Sequence, residues 1–154
     1  MRTWIMVAAV AGVMCTSIAA ADDSGRTYID PPASPAGVSA PFSEAVVAGD
    51  TLYVAGHIAL DPTTHKAFEA TDSEARAVMD AVKHSIESAG FTMDDLVSVT
   101  VYCTDLQLFD SFNAIYRGYF HGHYPARAFI GVAALLRGAH FEVAGIATKP
   151  RHHR

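Results

Sequence analysis

The sequence predicts an α+β fold, in which one mixed β-sheet carries both of its helices on a single face. Three observations lead there. Short segments alternate apolar and polar residues with a period of two, as Val97, Val99, Val101 and Cys103 do against Ser98, Thr100 and Tyr102. Two other segments open on capping-box patterns and continue with apolar residues at helical spacing. The order along the chain is strand, strand, helix, strand, helix, strand, strand, so the two helices can cover only one side of the sheet.

Residues 1–21 have the make-up of a secretory signal peptide. Arg2 supplies the positive start, an apolar run extends from Ile5 to Ile18, and Ala19-Ala20-Ala21 ends it in small residues before Asp22-Asp23. A spanning helix wants about 20 strongly apolar residues, and this run is shorter and alanine-rich, so cleavage and export to the periplasm or medium are expected, with no stable membrane anchor. Residues 22–40 are expected to be an extended N-terminal segment: Asp30 to Pro41 is rich in Pro, Ala, Ser and Gly, and order is expected to begin after it. Gly49-Asp50 separates the apolar runs 45–48 and 51–55, a hairpin signal.

Thr71-x-x-Glu74 opens the first helix, and Ala75, Val78, Met79, Val82, Ile86 and Ala89 give it one apolar face until Gly90 offers a left-handed stop. The alternating strand 97–103 follows. Thr104-x-x-Gln107 then caps a second helix whose stripe of Phe109, Phe112, Tyr116 and Tyr119 or Phe120 reads as core. After the loop from His121 to Pro125 come strands at 127–133 and 140–147, joined by a turn at Leu136-Arg137-Gly138. One domain, residues 41–148, is thereby defined, with residues 149–154 expected to be a flexible tail.

The chain has 154 residues, 51% hydrophobic and 18% charged, enough for one buried core. Loss of residues 1–21 removes Arg2 and no acid, leaving ten basic against sixteen acidic residues, a formal balance of −6. That balance argues against a nucleic-acid partner. Of the two cysteines only Cys103 would remain, expected as a buried strand residue with no disulfide partner. The second sheet face has no helix to cover it, so a closed ring of identical copies is expected to bury it.

The chemistry concentrates near the C-terminus, where Pro125-Ala126-Arg127 is followed fifteen residues past the arginine by Glu142 within the strand Phe141-Glu142-Val143. A guanidinium grips a carboxylate through two parallel hydrogen bonds, and a neighbouring carboxylate orients or deprotonates water. Taken singly, Arg127 reads as an ion-pair residue and Glu142 as a solvated acid. His121-Gly122-His123 has metal-like spacing, but one pair is not a ligand set, and no metal is expected.

These residues resemble the RidA/YjgF family of reactive-intermediate deaminases over about residues 37 to 148. Ala40-Pro41-Phe42-Ser43-Glu44-Ala45, Val54-Ala55-Gly56-His57-Ile58, Leu60-Asp61-Pro62, Thr104-Asp105, Phe112-Asn113-Ala114-Ile115-Tyr116, Tyr124-Pro125-Ala126-Arg127 and Phe141-Glu142 carry the likeness. It implies a chorismate-mutase-like homotrimer with sites between subunits. It further implies that Arg127 binds the substrate carboxylate and Glu142 sits beside the hydrolytic water, with Phe42, Ala55, Gly56, Asn113, Ala128 and Phe129 lining the pocket. The implied reaction is hydrolysis of a 2-imino acid or its enamine to a 2-keto acid and ammonia, with no cofactor. Phe42, Ala55 and Ala128 stand where the family has hydroxyl-bearing residues, and Gly131 replaces a strand glutamate. The rival expectation is accordingly a non-catalytic trimer that binds small carboxylates or acts like a chaperone. Nuclease activity, also described for relatives, is disfavoured by the acidic balance. His57 replaces a family glutamine, and its place in the motif puts it near the cleft, where it would give the site a pH dependence.

Overall fold

The computed structural model of the protein describes residues 25–31 and 37–150. Its strands are β1 (Arg26–Ile29), β2 (Ala45–Ala48), β3 (Thr51–Ile58), β4 (Leu96–Cys103), β5 (Ala126–Gly131) and β6 (Phe141–Thr148), and its α-helices are α1 (Thr71–Ser88) and α2 (Phe109–Tyr116). The strands form one sheet in the order β1-β2-β3-β6-β4-β5. Only β4 and β5 run parallel, and α2 lies in the connection between them, so the sheet is mixed as expected. The order of elements is also as expected, except for β1.

That strand was not expected, because the Pro-rich run placed the start of order after Pro41. Arg26–Ile29 instead pairs antiparallel with β2 and forms a sheet edge, with Ile29 packed against the core. Between β2 and β3, Gly49 takes a φ of 60°, the left-handed backbone that a two-residue hairpin turn needs.

The apolar face of α1 is the one its spacing predicts: Ala75, Val78, Met79, Val82 and Ile86 are all buried. They pack over Leu52, Val54, Val99, Val101, Phe141 and Val143, the inward residues of the sheet. The helix N-terminus differs from expectation. Thr71 is the first helical residue, its side chain makes no cap, and Glu74 is wholly buried and bonded elsewhere. At α2 the cap is Asp105, not Thr104: its carboxylate accepts from the Gln107 N–H (2.9 Å) and starts a short 3₁₀ turn that leads into the helix.

In β4 the alternation is displaced by one residue at its start. The register against β6 shifts between Leu96 and Ser98, so Leu96 turns into the core at 5% exposure and Val97 faces outward at 46%. Cys103 is fully buried, its thiol donates to the Asp105 carbonyl (3.1 Å), and burial pushes its pKa up.

By strand alternation the face away from the helices carries Tyr53, Thr100, Tyr102, Ile130 and Ile146. Among the described residues no element covers it, and Tyr53 and Ile130 stay 51% and 41% exposed. No helix among the described residues is long and apolar enough to cross a membrane. The expected signal peptide and the last four residues of the tail lie outside the described residues. Lys149 of that tail is held, its N–H bonded to the Asp50 carbonyl (3.0 Å) and its ammonium over the Phe91 ring.

Candidate functional site

Arg127 lies on β5, the sheet edge next to α2, and points to the helix side. Its register partner on β4 is Val99, which is buried under the helices. One guanidinium nitrogen donates to Asn113 Oδ1 (2.7 Å), and the cation stands 4.5 Å from the ring centre of Tyr116 and 5.7 Å from those of Phe109 and Phe129. Edge-to-face contacts of Phe129 with Phe109 (5.0 Å) and Phe112 (5.6 Å) fix this aromatic cradle. Among the described residues no carboxylate pairs with the arginine. Its second terminal nitrogen, Nη1, is buried without a hydrogen-bond partner among the described residues, and so is the Tyr116 hydroxyl.

Two buried donors left open cost free energy that an acceptor between them would recover. The space for one is present: a cavity of about 290 Å³ is lined by Asn113, Tyr116, Arg117, Tyr124, Pro125 and Arg127. Burial, reinforced by Tyr124 and opposed by Arg127, pushes the Tyr116 phenol up to about 12, so at neutral pH it is a donor. Tyr116 belongs to the core stripe the sequence predicts, yet its ring also seats the guanidinium. The available signal was Asn113, three residues earlier on the same buried face of α2.

Glu142 belongs to the other side of the sheet. It pairs with Tyr102 on β4, three residues beyond Val99, and with Ile58 on β3, whereas its neighbours Phe141 and Val143 point into the core. The register of β3 against β6 shifts between Val54 and His57, and in that bulge Gly56 leaves room for the acid. A methyl group on Gly56 would overlap Glu142 Oε1 and stand 3.0 Å from Cδ. Ala55 lies in the same bulge with its N–H on the Glu44 carbonyl (2.9 Å). Phe42 is 57% exposed in the turn before β2.

The predicted pocket residues therefore separate into two groups. Arg127, Asn113 and Phe129 meet on the helix side, and Gly56 and Glu142 meet on the open side. Ala128, next to Arg127, alternates away from it to the open side. Within one chain the two charged groups face opposite sides of the sheet. The expectation for His57 is corrected: its ring turns toward α1, where Nε2 lies 3.1 Å from the buried Ser85 Oγ, and not toward Glu142. Burial depresses its pKa, with His84 acting in the same direction and Glu44 against.

Glu74 supports the site from behind. Its Oε1 accepts from the N–H groups of His140 (2.6 Å) and Phe141 (2.9 Å), and its Oε2 lies 2.8 Å from His140 Nδ1. The buried carboxylate thus pins the start of β6 immediately before Glu142. Sequence reading missed it because the residue also satisfies a local capping pattern. His121 Nδ1 lies 3.8 Å from Asp94 Oδ2, and no cluster of three or more metal-ligating side chains occurs among the described residues.

Comparison with known proteins gives this geometry a family. The model of the family described as endoribonuclease L-PSP matches residues 33–149. A RutC family protein of Sulfurisphaera tokodaii is 36% identical over 110 residues, covering 71% of this chain and 88% of that protein. The mouse 2-iminobutanoate/2-iminopropanoate deaminase is 34% identical over 125 residues, covering 80% of this chain and 92% of that protein. The crystal structure of RidA from the Antarctic bacterium Psychrobacter sp. PAMC 21119 superposes with a TM-score of 0.69 at 34% identity, over 79% of this chain and 98% of that one. With the family model matched over both helices and every strand from β2 to β6, the chain belongs to the YjgF/RidA family.

Proposed function

We propose that the protein hydrolyses 2-imino acids, or their enamine tautomers, to 2-keto acids and ammonia. The observation that carries this reading is the buried Nη1 of Arg127, which among the described residues has no hydrogen-bond partner and no acid beside it, with a cavity in front of it. A substrate carboxylate takes that nitrogen in a charge-assisted hydrogen bond. Glu142, with its carboxylate free of hydrogen bonds and ion pairs among the described residues, orients water toward the imine carbon. Water adds to the carbon and one of its protons passes by way of the carboxylate to nitrogen; the C–N bond then breaks, ammonia leaves, and the hydroxyl gives its remaining proton to the carboxylate as the carbonyl forms. The protonated imine is already electrophilic, so positioning supplies most of the effect.

Because Arg127 and Glu142 face opposite sides of one chain, the reading requires two copies. The arginine side of one meets the glutamate side of the next across the uncovered sheet face, and a homotrimeric ring closes the arrangement. Residues 1–21 support export, so the reaction is placed outside the cytoplasm. N-terminal sequencing of the secreted chain, expected to begin after Ala21, tests that placement.

A second reading, a ring that binds small carboxylates without turnover, is favoured by Phe42, Ala55 and Ala128, which bring no hydroxyl to the site. Keto-acid release from freshly generated 2-iminopropionate, compared between the wild type and Arg127→Ala, separates the two. Turnover reduced about 100-fold or more by the substitution supports the enzyme. Carboxylate binding with no turnover in the wild type rejects it.

A further inference from the structure

We infer that the preferred substrate carries a second anionic group, held by Arg117, so that dicarboxylic 2-imino acids are favoured over 2-iminopropionate. The chemistry of turnover rests on the deaminase reading; the preference for a dianion rests on the cavity alone. Among the described residues that line it, Arg117 and Arg127 bring positive charge, and the others, Asn113, Tyr116, Tyr124 and Pro125, bring no negative charge. In a chain with more acids than bases, two guanidiniums around one small opening with no acid between them is a selective arrangement.

The two arginines are not equivalent. Arg127 is half-buried, tied to Asn113 and cradled by aromatic rings, with one nitrogen left open inward. Arg117 follows Tyr116 directly at the end of α2, is exposed, and its side chain makes no hydrogen bond or ion pair among the described residues. The inner cation is therefore set to fix one carboxylate and the outer, exposed one to meet a second. Two like charges lining one cavity repel each other, and a monoanion relieves only one of them. A dianion spanning the cavity relieves both. At about 290 Å³ the space lies at the small end of ligand cavities, the scale of a four- or five-carbon diacid. An arginine at a helix C-terminus also complements the helix dipole, a structural role that treats all substrates alike.

The test uses the full mature chain and the ratio of kcat/KM for 2-iminosuccinate and 2-iminoglutarate to that for 2-iminopropionate. The wild-type ratio is expected to exceed about 10. In Arg117→Gln it should fall about tenfold or more, with the loss in the KM for the diacids, and Arg117→Lys should restore part of it. A wild-type ratio near 1, or a fall shared equally by all three substrates, overturns the inference while leaving deamination in place. Calorimetric titration with succinate, glutarate and propionate covers the other case. Tighter, Arg117-dependent binding of the diacids without any turnover sustains the inference and rejects the deaminase reading; equal binding of all three rejects the inference.

Discussion

Replacing Glu74 with alanine is expected to cost about 2–4 kcal/mol, a large share of the 5–15 kcal/mol typical of a domain. The figure comes from what the carboxylate holds. It is fully buried and accepts two backbone N–H groups and an imidazole contact, all within 2.9 Å. Phe141 is fully buried, so its N–H would lose its acceptor with no water to replace it, at about 1–3 kcal/mol. The N–H of His140, nearer the surface, recovers part of its loss from water and adds about 1 kcal/mol. Removing the side chain leaves a small void worth about 1 kcal/mol more, and relief from burying a charge subtracts a comparable amount. Glu74→Gln keeps an oxygen for both N–H groups and offers its amide to His140 Nδ1, so it should cost about 1 kcal/mol or less. Urea unfolding followed by far-ultraviolet circular dichroism, at one fixed protein concentration because association contributes to stability, measures both. Glu74→Ala within about 0.5 kcal/mol of the wild type, or Glu74→Gln as damaging as Glu74→Ala, would show that the carboxylate does not hold the start of β6.

Two further outcomes follow from the site. Gly56→Ala places a methyl group where Glu142 Oε1 lies, and the flexible carboxylate end must move. Turnover should fall about 100-fold while stability stays within about 1 kcal/mol; retained turnover would show that the acid need not lie against Gly56. His57 has its pKa depressed by burial below its ordinary 6.5. As pH falls past that value the unfolded chain takes up the proton first, so the stability His57 contributes is full above about 6.5 and is lost as pH drops toward its folded pKa. His57→Gln should flatten the decline in unfolding free energy between pH 7 and pH 5, and should leave the pH–rate profile unaltered because the ring faces Ser85. Equal slopes in both proteins, or a changed rate profile, would count against this placement.

What the sequence disclosed depended on how local the cause was. The face of α1 and the β2–β3 hairpin follow from spacing and from Gly49, and both are as predicted. β1 has four residues and gains its stability by pairing with β2, so nothing in Arg26–Ile29 announces it beside a Pro-rich run. The bulge that turns Leu96 inward and Val97 outward is a matter of register between β4 and β6, which composition does not encode. Glu74 satisfied a local pattern while its true partners lie 66 and 67 residues away. For the candidate site, the motifs singled out Arg127, Asn113, Gly56 and Glu142. Which side of the sheet each faces is set by strand pairing alone, and it divides them into two groups on opposite sides.

Whether Arg127 of one copy works with Glu142 of the next is decided by mixing two inactive variants. Arg127→Ala and Glu142→Ala are each expected to be inactive, and the two chains are unfolded together in equal amounts and refolded. If every site takes its arginine from one copy and its glutamate from the next, about one site in four regains both groups, so the mixture should recover about a quarter of wild-type turnover of 2-iminopropionate. If both groups served a site within one chain, every site would still lack one of them. No recovery from a mixture shown by native mass measurement to contain both variants in one assembly would contradict the account.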